Sequence, residues 1–145
     1  MATSKKAPPA KKKIKQEYIY AVGRRKNASA RVRLYLKKGK MIVNGLPIAK
    51  YFPGPVAEIA YNRPFKVCDC LGKFYATVKV VGSGKESQLL AIIHGLARTL
   101  DKADREKYHP VLKKNGLLTR DSRQRERRKA GQAGRARHKK QSPKR

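Results

Sequence analysis

Acidic residues are scarce in this chain: 9 Asp and Glu stand against 38 Lys and Arg in 145 residues, a formal charge of +29. Charge of one sign at that density repels itself in a compact body, so a polyanionic partner that releases counterions on binding is the economical explanation. Long apolar runs are also missing, and no window approaches the length of a membrane-spanning helix. The opening MATSKKAPPAKKKIKQ has lysines and prolines where a secretory signal needs an apolar segment. No membrane partner and a cytosolic place are therefore expected, with an organelle the lesser alternative. Tryptophan is absent and phenylalanine occurs three times, which leaves little for stacking bases. The two cysteines, Cys68 and Cys70, would share one face of an extended strand. That spacing suits neither a disulfide nor, without further Cys or His ligands, a zinc site, so buried apolar roles are expected.

Three segments follow from composition. Residues 1–16 form a basic arm with Ile14 as its one large apolar group, and residues 116–145 form a basic tail with almost no core residues after Leu117 and Leu118. Residues 17–115 between them form a single globular domain, and the arm before it is expected to be disordered. Its pattern is α+β: a small mixed or antiparallel sheet with helices packed on it. Tyr18–Val22 reads as a strand, and GRRKN after it as a turn. Ala30–Leu36 alternates, with Val32, Leu34 and Leu36 on a core face and Arg31, Arg33 and Tyr35 on an outer one. A hairpin turn at Lys37–Lys40 leads to a third strand, Met41–Val43, ended by Asn44-Gly45. Pro47–Tyr61 suggests helical turns broken by Pro53 and Pro55, with Val56, Ile59 and Ala60 on the packing side. Phe74, Ala76, Val78 and Val80 form the inner face of a central strand. A last helix, Ala103–Lys114, ends at the C-cap signal Asn115-Gly116.

The stretch VVGSGKESQLLAIIHGLARTL, Val80–Leu100, resembles a phosphate loop but lacks its spacing. The pattern GxxxxGK[ST] asks for glycine at Lys79 and a hydroxyl at Glu86. A carboxylate at the latter position repels phosphate. Ser83 and Glu86 instead read as a capping box before a helix whose Leu89, Ile92, Ile93, Leu96 and Leu100 share one buried face.

Catalytic constellations are thin. His94 lies beside that packing face with no carboxylate or nucleophile placed to work with it, so a structural or RNA-facing role is expected. His109 and His138 sit in basic, polar surroundings. Asp101, Asp104 and Glu106 cluster between two helices, where capping and pairing with Lys102, Arg105 and Lys107 account for them. No enzyme, cofactor, metal or small-molecule substrate is expected.

Nucleic-acid binding has more support. GRRKNASARVR places Arg24, Arg25 and Lys26 in a turn and Arg31 and Arg33 on an outer strand face, where guanidinium forks and backbone amides can grip phosphates. The tail adds Arg120, Arg123, Arg125, Arg127, Arg128, Lys129, Arg135, Arg137, Lys139, Lys140, Lys144 and Arg145. No helix-turn-helix, finger spacing or RNP motif is present, so recognition is driven by phosphates and shape, which suits a large folded RNA. An architectural DNA-binding protein is the main rival, and a phosphotransferase using Lys85 a weaker one.

Three stretches in this order resemble the bacterial-type small-subunit ribosomal protein nine family: YAVGRRKNASARVRLYLKKGKMIVNGLPIAKYFP, VVGSGKESQLLAIIHGLARTL and GLLTRDSRQRERRKAGQAGRARHKKQSPKR. Its GRRKxAxARV pattern matches Gly23 to Lys26, Ala28, Ala30, Arg31 and Val32. Its VNG and YFP elements match Val43 to Gly45 and Tyr51 to Pro53. LTRDxRxxERKKxG matches Leu118 to Asp121, Arg123, Glu126, Arg127 and Gly131, with Arg128 for the first lysine. The family usually has three glycines where this chain has Gly82-Ser83-Gly84, which narrows the tolerated backbone angles and adds the capping serine. The resemblance implies a structural protein of the subunit head that binds the 3′ domain of small-subunit rRNA beside neighbouring ribosomal proteins. It also implies a left-handed βαβ crossover and a disordered tail that threads through rRNA, with rRNA contacts at the hairpin and tail residues named above. The terminal Ser-Lys-Arg of the family reaches peptidyl-site tRNA, which here assigns Lys144 and Arg145 that role, with Pro143 lengthening the tip by one residue.

Overall fold

A computed structural model describes residues 17–137 of the chain. The basic arm at 1–16 and the last eight residues, with His138, Lys139, Lys140, Pro143, Lys144 and Arg145, lie outside the described residues.

The elements run β1 (Ile19–Arg25), β2 (Ala28–Tyr35), β3 (Ile42–Val43), β4 (Leu46–Pro47), α1 (Ile48–Tyr51), α2 (Pro55–Val67), β5 (Tyr75–Val81), α3 (Lys85–Ala103) and α4 (Arg105–Lys114). The strands form one mixed sheet in the order β1-β2-β5-β3-β4. β3 and β5 pair in parallel and the other neighbours antiparallel, so the α+β class expected from the pattern holds. The period-two alternation of β2 and β5 sets one face: Ala28, Ala30, Val32, Leu34, Ala76, Val78 and Val80 are all buried. α3 covers that face, resting mainly on β1 and β2, with α2 and α4 packed against it.

α3 lies unusually close to β1, and two glycines make this possible. A methyl group on Gly23 would collide with the Ala91 carbonyl and stand 2.8 Å from the Gly95 Cα; one on Gly95 would stand 2.6 Å from Val32 Cγ2. The neighbours at Gly23 are backbone atoms, which cannot swing aside as a side chain can.

Several expectations are corrected. β1 runs on through Arg24 and Arg25, so the turn is only Lys26-Asn27, with Lys26 at a left-handed φ of 51°. β2 ends at Tyr35, and the alternation ends with it. Leu36 is 59% exposed, while Tyr35 is covered by a stacked Tyr75 ring at 4.7 Å. α2 continues past Tyr61 to Val67, and its later residues choose the buried face: Tyr61, Pro64 and Phe65 point inward, leaving Val56 at 80% and Ile59 at 61% exposure. Pro55 starts this helix instead of breaking it. Cys68 and Cys70 follow its end in a turn, where no strand forms. Both are free and buried, as their expected packing role requires. Burial pushes the Cys68 thiol up to about 11.

The capping box is also overturned. Gly82 and Ser83 both take left-handed backbone, at φ 81° and 56°, which moves the N-cap of α3 to Gly84, and no side chain caps it. The turn is held from inside the helix, where the Gln88 amide donates to the Gly82 carbonyl at 3.2 Å and accepts from the Tyr51 hydroxyl at 2.9 Å. α3 runs to Ala103, so α4 starts at Arg105 with Asp104 as its cap, accepting from the Lys107 amide at 3.1 Å. Its C-terminus is a Schellman motif: Leu117 N–H donates to Leu112 at 3.1 Å and Gly116 N–H to Lys113 at 3.0 Å, with Gly116 at φ 67°.

Gly23→Ala is expected to destabilise the domain by about 3 kcal/mol, read from the urea midpoint. Gly84→Ala, where the space is open and φ is −84°, should change it by no more than about 0.5 kcal/mol.

Candidate nucleic-acid interface

The tip of the β1–β2 hairpin is where the start of the tail is fastened. Arg25 Nη2 lies 3.2 Å from Asp121 Oδ2, and Arg25 Nη1 donates to the Arg123 carbonyl at 2.7 Å. Arg123 closes the cluster by donating to Asp121 from its amide, Nε and Nη2 at 2.7 to 3.2 Å. These hydrogen bonds hold the Asp121 carboxyl well below the usual carboxylate range. Gln124 donates to the Lys26 carbonyl at 3.3 Å. Arg25, only 14% exposed at its side chain, is therefore a structural anchor between hairpin and tail, while Lys26 remains exposed.

Along the outer edge of β1, α3 presents a polar stripe at every fourth residue. His94 Nδ1 accepts from the Arg24 amide at 3.2 Å, Arg98 donates to the Val22 carbonyl at 2.6 Å, and Lys102 donates to the Tyr20 carbonyl at 3.0 Å. Four residues of helix rise about 6 Å and two of antiparallel strand about 6.8 Å, so the two periods stay in step over three contacts. An edge strand that would otherwise offer unpaired backbone groups is sealed. With Nδ1 accepting, the His94 proton lies on Nε2, which donates to the Leu118 carbonyl at 3.2 Å. The expected structural role of His94 is thus observed: it ties β1 to the root of the tail. Burial lowers its pKa from the ordinary 6.5, and Arg98 and Arg120 push in the same direction. Val22, Arg24, His94, Arg98, Leu118 and Arg120 line a cavity of about 430 Å³ here.

The sheet face away from α3 is open and basic. Arg31, Arg33 and Lys79 rise from β2 and β5, with Tyr18 and Tyr20 beside them, around a shallow depression of about 990 Å³ that no carboxylate lines. Arg33 sits 5.0 Å from the centre of the Tyr18 ring. The outer-face placement of Arg31 and Arg33 is as the alternation requires.

In the tail, Arg120, Arg125, Arg127, Arg128, Lys129, Arg135 and Arg137 are all exposed, and residues 117–137 form no helix or strand. Arg137 forks onto Glu126, with Nε at 3.0 Å, closing a loop inside which the Lys129 amide donates to the Arg135 carbonyl at 3.2 Å. Lys79, Arg98 and Lys102 are absent from the residues that the sequence assigns to nucleic-acid binding, Lys102 being expected there only to pair with the helix-junction carboxylates. The 94/98/102 spacing was visible, but nothing local says that this stripe faces a strand edge.

Other candidates resolve into structure. Lys85 Nζ sits 3.5 Å from the Tyr51 ring centre, with the Phe52 ring at 5.9 Å, a cation–π contact in place of a phosphate. Asp101 pairs with His109 at 2.7 Å, not with Lys102. Among the described residues no cluster of His, Cys, Asp and Glu could hold a metal, and no helix is long and apolar enough to cross a membrane.

Comparison with known proteins gives a family. The profile described as Ribosomal protein S9/S16 matches residues 23–145. The small ribosomal subunit protein uS9 of Maridesulfovibrio salexigens is 45% identical over 121 residues, covering 83% of this chain and 92% of the relative. The protein of the same name from a Dehalococcoides mccartyi strain is 45% identical over 117 residues, covering 81% and 88%, and that from Leifsonia xyli subsp. xyli is 43% identical over 125, covering 86% and 74%.

Protonation of His94 removes the acceptor for the Arg24 amide. Because the folded-state pKa lies below the free value of 6.5, this contribution is complete above that value and is lost as pH falls through the folded one. Hydrogen exchange at the Arg24 amide, corrected for intrinsic rate, should accelerate across that acid range in the native chain and show no such step in His94→Gln.

Proposed function

Because the chain belongs to the ribosomal protein S9/S16 family, whose members are structural proteins of the small ribosomal subunit and not enzymes, we propose that it binds the 3′ domain of small-subunit rRNA in the subunit head. The observation that carries this reading is the fastening of the tail root to the hairpin tip by Arg25, Asp121 and Arg123. It joins cations from distant parts of the sequence into one surface.

On this reading Arg24, Lys26, Arg31, Arg33 and Lys79 meet rRNA phosphates from the folded domain, and Arg25 holds the tail against it. Arg120, Arg123, Arg125, Arg127, Arg128, Lys129, Arg135, Arg137, Lys139 and Lys140 neutralise phosphates along the tail. The crossover from β3 to β5 carries the left hand of the family. Neighbouring proteins of the head are further partners, and the ribosome of the cytoplasm is its place. Lys144 and Arg145 reach peptidyl-site tRNA. With the tail fastened at Gln124, residues 125–145 span at most about 70 Å at roughly 3.3 Å each.

Filter binding to a 3′-domain rRNA fragment and to duplex DNA at matched salt tests the reading. A preference for the rRNA, with affinity lowered by Arg31→Gln and Lys79→Gln, is expected, and each change should flatten the salt slope by about 0.9. A preference for duplex DNA contradicts it. Removing residues 142–145 should leave rRNA binding intact and weaken peptidyl-site tRNA binding or frame maintenance. Ribosomes that lack these residues and still hold tRNA and frame normally would remove the tRNA contact from the account.

A further inference from the structure

The cavity beside His94 draws one arginine from each of three segments: Arg24 from β1, Arg98 from α3 and Arg120 from the root of the tail. No carboxylate lines it. Asp121, adjacent in sequence, has its oxygens committed to Arg25 and Arg123. The fold thus brings the charges of Arg98 and Arg120, both of which bear on the His94 ring, to one space that Arg24 also lines, an arrangement that is unfavourable alone and relieved by an anion. Arg98 is oriented by its 2.6 Å bond from Nη1 to the Val22 carbonyl, leaving other guanidinium N–H groups to serve as a fork. His94 adds no repelling lone pair, since Nδ1 accepts from the Arg24 amide and Nε2 is turned to Leu118. Val22 and Leu118 complete its lining.

We propose that this cavity is a discrete phosphate site, occupied in the assembled particle by a single backbone phosphate of rRNA that Arg24, Arg98 and Arg120 grip together. The RNA source rests on the rRNA-binding reading; the phosphate chemistry does not. A phosphate held there links strand, helix and tail root through one ligand, so RNA binding sets the direction in which the tail leaves the domain.

Two measurements on the full chain separate these parts. The first follows the His94 ring by NMR while inorganic phosphate is added, with chloride at equal ionic strength as control. Phosphate should raise the His94 pKa, because an anion beside the ring favours its charged form. The response should vanish in both Arg98→Gln and Arg120→Gln and persist in Arg125→Gln, whose residue is outside the cavity. Arg120 makes no hydrogen bond among the described residues, so its variant tests the site even if Arg98→Gln disturbs the helix contact. The second is the salt slope of rRNA binding. Each variant should flatten it by about 0.9 and the double variant by the same amount, since one phosphate is shared. A His94 response to phosphate no larger than to chloride, or slopes that drop independently in the two variants, overturns the shared site. A normal phosphate response in a chain that binds no rRNA overturns the RNA source and the functional reading with it.

Discussion

Helix α3 can lie against strand β1 only because neither Gly23 nor Gly95 carries a side chain. This single approach fixes the distance at which the His94, Arg98 and Lys102 stripe meets the strand edge, and hydrogen bonds at 3.2, 2.6 and 3.0 Å tolerate little change in it. Through His94 the same approach sets where Leu118 and the root of the tail sit. A larger residue at either glycine would lift the helix and, with it, the geometry of the basic surface.

The few carboxylates are used to shape that surface more than to neutralise it. Asp104 caps α4 and Asp101 holds His109, inside the domain's helical layer. Asp121 and Glu126 each gather tail arginines, one onto the hairpin tip and one into a closed loop. The Arg24, Arg98 and Arg120 cavity and the Arg31, Arg33 and Lys79 face receive none. Among the described residues, cations are thereby left without carboxylate partners on a concave face and in a cavity, where a polyanion can release counterions on binding.

Where a residue's environment follows from its own period, the sequence was readable. The inner faces of β2 and β5, the buried stripe of α3 and the glycine stop of α4 all follow from local pattern. The failures have specific causes. Ser83 has the chemistry of a cap, but its left-handed backbone, imposed by a turn that presses Gly82 against Asn27, places it one residue too early. Val56 and Ile59 look like a packing face until the helix is known to continue to Val67, where the larger Tyr61 and Phe65 decide its orientation. At the site, the density of Arg and Lys was legible, but the distinction between Arg25 as partly buried anchor and Lys26 as exposed cation was not. That distinction depends on Asp121, far along the chain. Arg98 is the clearest omission, because only the approach of α3 to β1 gives it a partner.

The most direct test of the whole account is sedimentation of a cell lysate through a sucrose gradient, followed by a high-salt wash, with this chain as the probe. A chain whose basic domain and fastened tail are built into rRNA should travel with small subunits and remain there after the wash, since many phosphate contacts must be lost together for it to leave. A chain found near the top of the gradient, or with the chromosome, would contradict the account.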